Sequence, residues 1–88
     1  MAMELKNYME LVVEDAVESE LGKIEDEWAK THKAKLDIMA LALNRLPARY
    51  IVTDKGRIMA KINETEVQFQ ADILREVIRA IGIVRKNP

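Results

Sequence analysis

Leu5, Tyr8, Met9, Val12, Val13, Ala16, Val17 and Leu21 recur at three- and four-residue spacing. That period puts them on one broad face, so the pattern predicts a first helix from about Met3 to about Leu21. Gly22 supplies its stop. On another face Glu10, Glu14 and Glu18 repeat every four residues. Like charges at that spacing cost a helix a few tenths of a kcal/mol per pair, so a basic partner is expected beside them. From Lys23 to Lys35 the chain is charged and weakly patterned, with room for a short helix. Trp28, the sole tryptophan, reads as a core or interface anchor rather than a stacking platform, because large aromatics dominate burial in small domains.

A second helix is expected from about Leu36 to Arg45. Leu36, Ile38, Met39, Ala40, Leu41, Ala42 and Leu43 make it apolar nearly all round, the pattern of a central buried helix. Pro47 has no backbone N–H and biases Leu46 toward extended geometry, so the helix stops near Arg45 or Leu46. Tyr50-Ile51-Val52-Thr53 favours extended structure, and Asp54-Lys55-Gly56 is a turn signal. Residues 50–62 then read either as a short β-hairpin, with Arg57 to Ile62 as its second strand, or as a helical turn. Asn63-Glu64-Thr65-Glu66 is a variant capping box that opens a long C-terminal helix to about Val84. Val67, Ala71, Leu74, Ile78 and Ile81 form its seam, widened by Ile73, Val77 and Val84. Arg85 and Lys86 suit the negative end of its dipole.

No repeat, linker or low-complexity tract interrupts the 88 residues, so 1–88 reads as one small, compact, mainly α-helical domain. A chain this short buries only roughly 60–65% of its unfolded surface, and a homodimer is a natural way to hide more. No apolar run approaches the ~18 residues of a membrane span. Glu4 near the start does not fit a signal peptide, and a cytoplasmic location is expected.

The net charge of −1 conceals an asymmetry that bears on partners. Residues 1–27 carry nine acidic and two basic side chains, whereas 28–62 carry two acidic and eight basic ones. The basic block either steers an anionic partner or lies against the acidic first helix of the same or another chain.

Catalytic chemistry has little to work with. There is no cysteine, one serine (Ser19) and one histidine (His32), on unrelated segments. No triad, transition-metal site or glycine-rich phosphate loop follows from them, so no enzyme activity, cofactor or metal is expected. An anion site remains open: Arg45, Arg49, Lys55 and Arg57 with Tyr50 among them. Arginine gives phosphate two parallel hydrogen bonds and stacks on bases, and Tyr50 adds a stacking face. The structural alternative is that these arginines satisfy the carbonyls at the end of the second helix.

The run Asp37-Ile-Met-Ala-Leu-Ala-Leu-Asn-Arg-Leu-Pro-Ala-Arg-Tyr-Ile-Val-Thr53 resembles the signature of the late competence protein ComFB family. Its members read Asp-hydrophobic-x-Ala-Leu-Ala-Leu-Asn-x-Leu-Pro-Pro-x-Tyr-Val-Val-Thr. Ala48 replaces the second proline and Ile51 the first valine. Looser likeness covers Lys6-Asn7-Tyr8-Met9-Glu10 and the C-terminal helix. Many members carry Cys-x-x-Cys just before the aspartate that matches Asp37, where a zinc ion would be held. Thr31 and Ala34 stand at the matching positions here, which removes that option. The resemblance implies a small dimer, and for some members a receptor for bacterial cyclic dinucleotides. The expected function is a non-enzymatic regulator binding cyclic di-GMP or cyclic di-AMP through Arg45, Arg49, Tyr50, Lys55 and Arg57. The alternative is a protein-interaction module tied to competence or motility machinery. Direct nucleic-acid binding is disfavoured by the acidic first third.

Overall fold

The computed structural model describes residues 3–54, 57–58 and 67–87. Strand β1 (Met3–Asn7) leads into helix α1 (Tyr8–Leu21), and a single 3-10 turn (Glu27–Lys30) precedes helix α2 (His32–Leu43). Strands β2 (Tyr50–Asp54) and β3 (Arg57–Ile58) and helix α3 (Val67–Lys86) complete the order. The fold is mainly helical with a long C-terminal helix, as its periodicity indicates. Of the two readings for residues 50–62, the hairpin is present: β2 and β3 pair antiparallel, with Thr53 opposite Ile58. Lys55, Gly56, residues 59–62 of the expected second strand and the capping box at 63–66 lie outside the described residues.

The first five residues of the predicted first helix form a strand instead. Met3 to Asn7 pair antiparallel with Asp54 to Tyr50, in sheet order β1-β2-β3. Asn7 forces the change: its Oδ1 accepts from the Met9 N–H at 3.2 Å, so α1 starts after it. Leu5, placed by its spacing on the helix's apolar face, is 71% exposed on the strand. The far end agrees with expectation, since α1 stops at Leu21. Gly22 caps it in the right-handed region (φ −62°), so the stop does not rest on a left-handed glycine.

Helix α2 begins four residues earlier than its apolar pattern indicates, because Thr31 caps it: Thr31 Oγ1 accepts from the Ala34 N–H at 3.1 Å. The positions that match the family's two cysteines are thus joined by a hydrogen bond. Past Leu43, turn hydrogen bonds from Asn44, Arg45 and Leu46 carry the chain to Pro47.

The core lies where α2 meets α1 and α3. Ile38 and Ala42 of α2 pack with Met9, Val13 and Val17 of α1 and with Phe69, Ile73, Val77, Ala80 and Val84 of α3, all buried. Helix α2 is not apolar-buried all round, for Leu36 and Ala40 face solvent. The seam assigned to α3 is displaced by a fraction of a turn. Ile73, Val77 and Val84, assigned to its margin, are central, whereas Ala71, Leu74 and Ile78 are exposed. Phe69 sets the phase, because its ring is the largest group α3 buries and the helix rotates to seat it. Trp28 packs against this core as an anchor, with the Arg85 guanidinium 5.7 Å from its ring.

Lys35 supplies the basic partner expected for the acidic face of α1. Its Nζ lies 2.8 Å from Glu14 Oε2 and 3.7 Å from Glu18 Oε1. The hydrogen bond to Glu14, aided by both carboxylates, holds the Lys35 pKa above its usual 10.5. A folded-state pKa above the unfolded value adds stability that is complete below 10.5 and disappears as pH rises through the folded value. The stability gap between the wild type and Lys35→Met should therefore stay constant from about pH 7 to about pH 10 and close above that. Urea midpoints across that range measure it, and a gap closing near neutrality would refute the pairing.

Candidate functional site

The arginine corner is built by the end of α2, the start of β2 and the flank of α3. Asn7 orders it, since the Oδ1 that caps α1 also accepts from the Arg49 N–H at 2.9 Å. The Arg49 carbonyl in turn accepts from the Tyr8 N–H at 2.7 Å. These bonds lock the Arg49 backbone to the β1–α1 junction, which leaves its side chain to reach α3. The guanidinium carbon sits 4.2 Å above the centre of the Phe69 ring, a cation–π contact.

Arg45 reaches the same helix. Its Nε donates to Glu76 Oε1 at 2.8 Å. The Glu76 side chain is only 8% exposed, while that of Arg45 is 52% exposed. Arg75 is a more distant second partner, its Nε 3.9 Å from Glu76 Oε2. Since Phe69 and Glu76 are seven residues apart, the two arginines engage α3 about two turns, or ~10 Å, apart. Tyr50, next in chain to Arg49, is 66% exposed.

The corner therefore unites Arg45 and Arg49 on α3, with Tyr50 beside them in sequence on β2. Lys55 lies outside the described residues, and of Arg57 only the backbone in β3 is described. The arginines do not cap the carbonyls of α2; backbone N–H groups of Asn44 and Arg45 take Ala40 and Ala42 there. Three contributors escaped the sequence reading: Asn7, Phe69 and Glu76. Glu76 had a signal, as a lone carboxylate between Ile73 and Val77 in the buried stripe.

Phe69 belongs to a second feature. Between α1 and α3 runs an open groove of about 590 Å³, lined by Val12, Ala16, Phe69, Ile73 and Leu74, with Asp15 and Glu20 among its polar lining. Arg49 thus covers a ring that also lines this groove. The floor is apolar, the charged side chains in its lining are the acidic Asp15 and Glu20, and the cation Arg49 meets the groove only through the Phe69 ring. Among the described residues no group of three or more His, Cys, Asp or Glu side chains is placed to hold a metal. No helix among them is long and apolar enough to cross a membrane.

The model of the family described as late competence development protein ComFB matches residues 6–88. The chain belongs to the ComFB family. No curated protein and no solved structure matches it. For this ComFB-family chain the match runs from β1 through α3 and so contains the arginine corner, Asn7 and Glu76. Family membership makes it a competence-related small protein.

Proposed function

We propose that this ComFB-family chain is a non-enzymatic regulator that receives a bacterial cyclic dinucleotide at the corner formed by Arg45, Arg49 and Tyr50. The observation that carries the reading is Arg49 held over Phe69, a ring that also lines the α1–α3 groove. A guanidinium in that position meets a phosphate while the apolar floor accepts a purine. Arg45 spends one donor on Glu76 and keeps about half its side chain in solvent, so a second phosphate has a cation to meet. Tyr50 offers an exposed stacking face. The family resemblance supports the ligand class.

Calorimetric and thermal-shift titration with cyclic di-GMP and cyclic di-AMP, against GTP and ATP, tests this. A specific ligand at ~100 times its dissociation constant adds roughly 2.7 kcal/mol, which raises the melting midpoint by about 10–20 °C in a domain this small. Tyr50→Ala should weaken binding with little effect on the apo midpoint, because the side chain is mostly exposed. Arg49→Ala should abolish binding while leaving the helical circular dichroism unchanged. Neither heat nor shift with either cyclic dinucleotide would reject the reading. The protein-interaction alternative would then stand, favoured by the exposed apolar side chains Met3, Leu5, Tyr50 and Val52 on the sheet.

A further inference from the structure

Both walls of the α1–α3 groove are helices. Val12, Ala16 and Ser19 of α1 form one, and Phe69, Ile73 and Leu74 of α3 form the other. Between positions 12 and 20 the α1 wall runs ~12 Å. The apolar surface continues past the groove, for Leu74 is 43% exposed and Ile78, one turn further along α3, is 52% exposed. Contiguous apolar surface of this kind marks a place where a partner docks. Charge in the lining has one sign. Asp15 and Glu20 are there, without a lysine, arginine or histidine. Asp15 is exposed, and among the described residues its carboxylate has no hydrogen bond or ion pair. Glu20 holds Lys23 Nζ at 2.8 Å through Oε2 alone, so this rim already seats an ammonium group.

We infer that this groove docks a cationic amphipathic helix belonging to another protein. The backbone decides between helix and extended peptide. Helical walls use their own N–H and C=O groups internally, so they offer an extended guest no ladder, and the guest must satisfy its own peptide groups. A helix does so. Ala16, Ser19 and Ala71 are small, which lets a third helix come close to both walls and seat large aliphatic side chains on Phe69, Ile73 and Leu74. The carboxylates decide the charge. Asp15 and Glu20 lie on either side of Val12, Ala16 and Ser19 around α1, so a guest with apolar residues at three- and four-residue spacing and lysine or arginine beside them meets both features. The same carboxylates repel an anionic membrane surface, a nucleic acid or an acidic peptide. The purine proposed above would share Phe69 with this guest, so nucleotide and helix should exclude one another. Helix docking does not rest on nucleotide binding, however, and its test contains no nucleotide.

The probe is a fluorescent leucine–lysine peptide of about 18 residues, long enough to hold a helix, with leucine at three- and four-residue spacing. Its acidic counterpart carries glutamate in place of every lysine. Fluorescence anisotropy gives the affinities, and amide shifts of the isotope-labelled protein locate the contact. Shifts should cluster on Val12 to Glu20 and on Phe69 to Ile78. The acidic peptide should bind at least about tenfold more weakly. Asp15→Lys should weaken the basic peptide about five- to tenfold, whereas Glu10→Lys, the same charge change on the opposite face of α1, should leave it within about twofold. Leu74→Ser should weaken it about tenfold. Circular dichroism verifies that each variant is folded; the substituted side chains are all exposed. Equal affinity for the acidic peptide, equal losses from Asp15→Lys and Glu10→Lys, or shifts confined to the sheet would each overturn the proposal. So would groove amides that the peptide leaves unmoved while Leu74→Ser changes the protein's own molar mass, since the groove would then belong to a second copy.

Discussion

Replacing Ile38 with alanine is expected to remove about 3 kcal/mol of folding stability and to lower the melting midpoint by roughly 12–24 °C. Ile38 has no solvent exposure and lies in α2, where that helix meets both others. The lost methyl and methylene groups forfeit their transfer free energy, and the cavity left between three helices collapses only partly. A domain of this length has roughly 4–13 kcal/mol in total, so the variant should be near the edge of folding at body temperature. The control is Leu36→Ala, two positions away on the same helix. Leu36 is 48% exposed, and its truncation should cost well under about 1 kcal/mol. Urea denaturation of both variants measures the contrast. Equal losses would mean that α2 is rotated relative to the arrangement described.

The second large effect concerns the Arg45–Glu76 pair, whose partners are unequally buried. Arg45→Ala should destabilise by about 2–3 kcal/mol, because it strands a carboxylate that has little water and, among the described residues, only Arg75 at 3.9 Å. This is below the 3–5 kcal/mol typical of breaking a fully buried pair, since Arg45 itself is half exposed. Glu76→Gln should cost only about 1 kcal/mol. The amide keeps the shape and an acceptor oxygen, and Arg45 loses no hydration. The asymmetry is the diagnostic: equal costs would show that Glu76 is well solvated and the pair superficial. It also separates stability from ligand binding. On the proposed function, Arg45→Ala should harm both, whereas Glu76→Gln removes the internal negative charge facing Arg45 and should tighten cyclic dinucleotide binding. Weaker binding by Glu76→Gln would remove Arg45 from the proposed site.

The corner itself was partly legible. Arg45, Arg49 and Tyr50 stood out because two arginines and an exposed aromatic flank a proline break. What engages the arginines was not legible. Phe69 and Glu76 are twenty and thirty-one residues further along the chain, and nothing local couples them to the corner. The groove beside Phe69 is lined from both α1 and α3, elements far apart in the chain, so no local pattern could show it.

By itself the chain determined what short-range chemistry controls. Pro47 ends the second helix, Gly22 follows the last turn of the first, β-branched residues after Tyr50 extend the backbone, and apolar periodicity holds the C-terminal helix together. Each signal acts within a turn or two, where the backbone has few alternatives. Tertiary structure decided the rest. Leu5, Tyr8, Met9 and Val12 keep helical spacing across the point where the strand gives way to the helix, so periodicity cannot detect that boundary. The ladder with Tyr50–Asp54 and the double use of Asn7 Oδ1 set it. The local sequence of α3 marks one apolar stripe, but the face it buries is turned to one side of that stripe, so the exact phase was not set locally. Seating Phe69 against the core set it, and the same rotation brought Glu76 to Arg45.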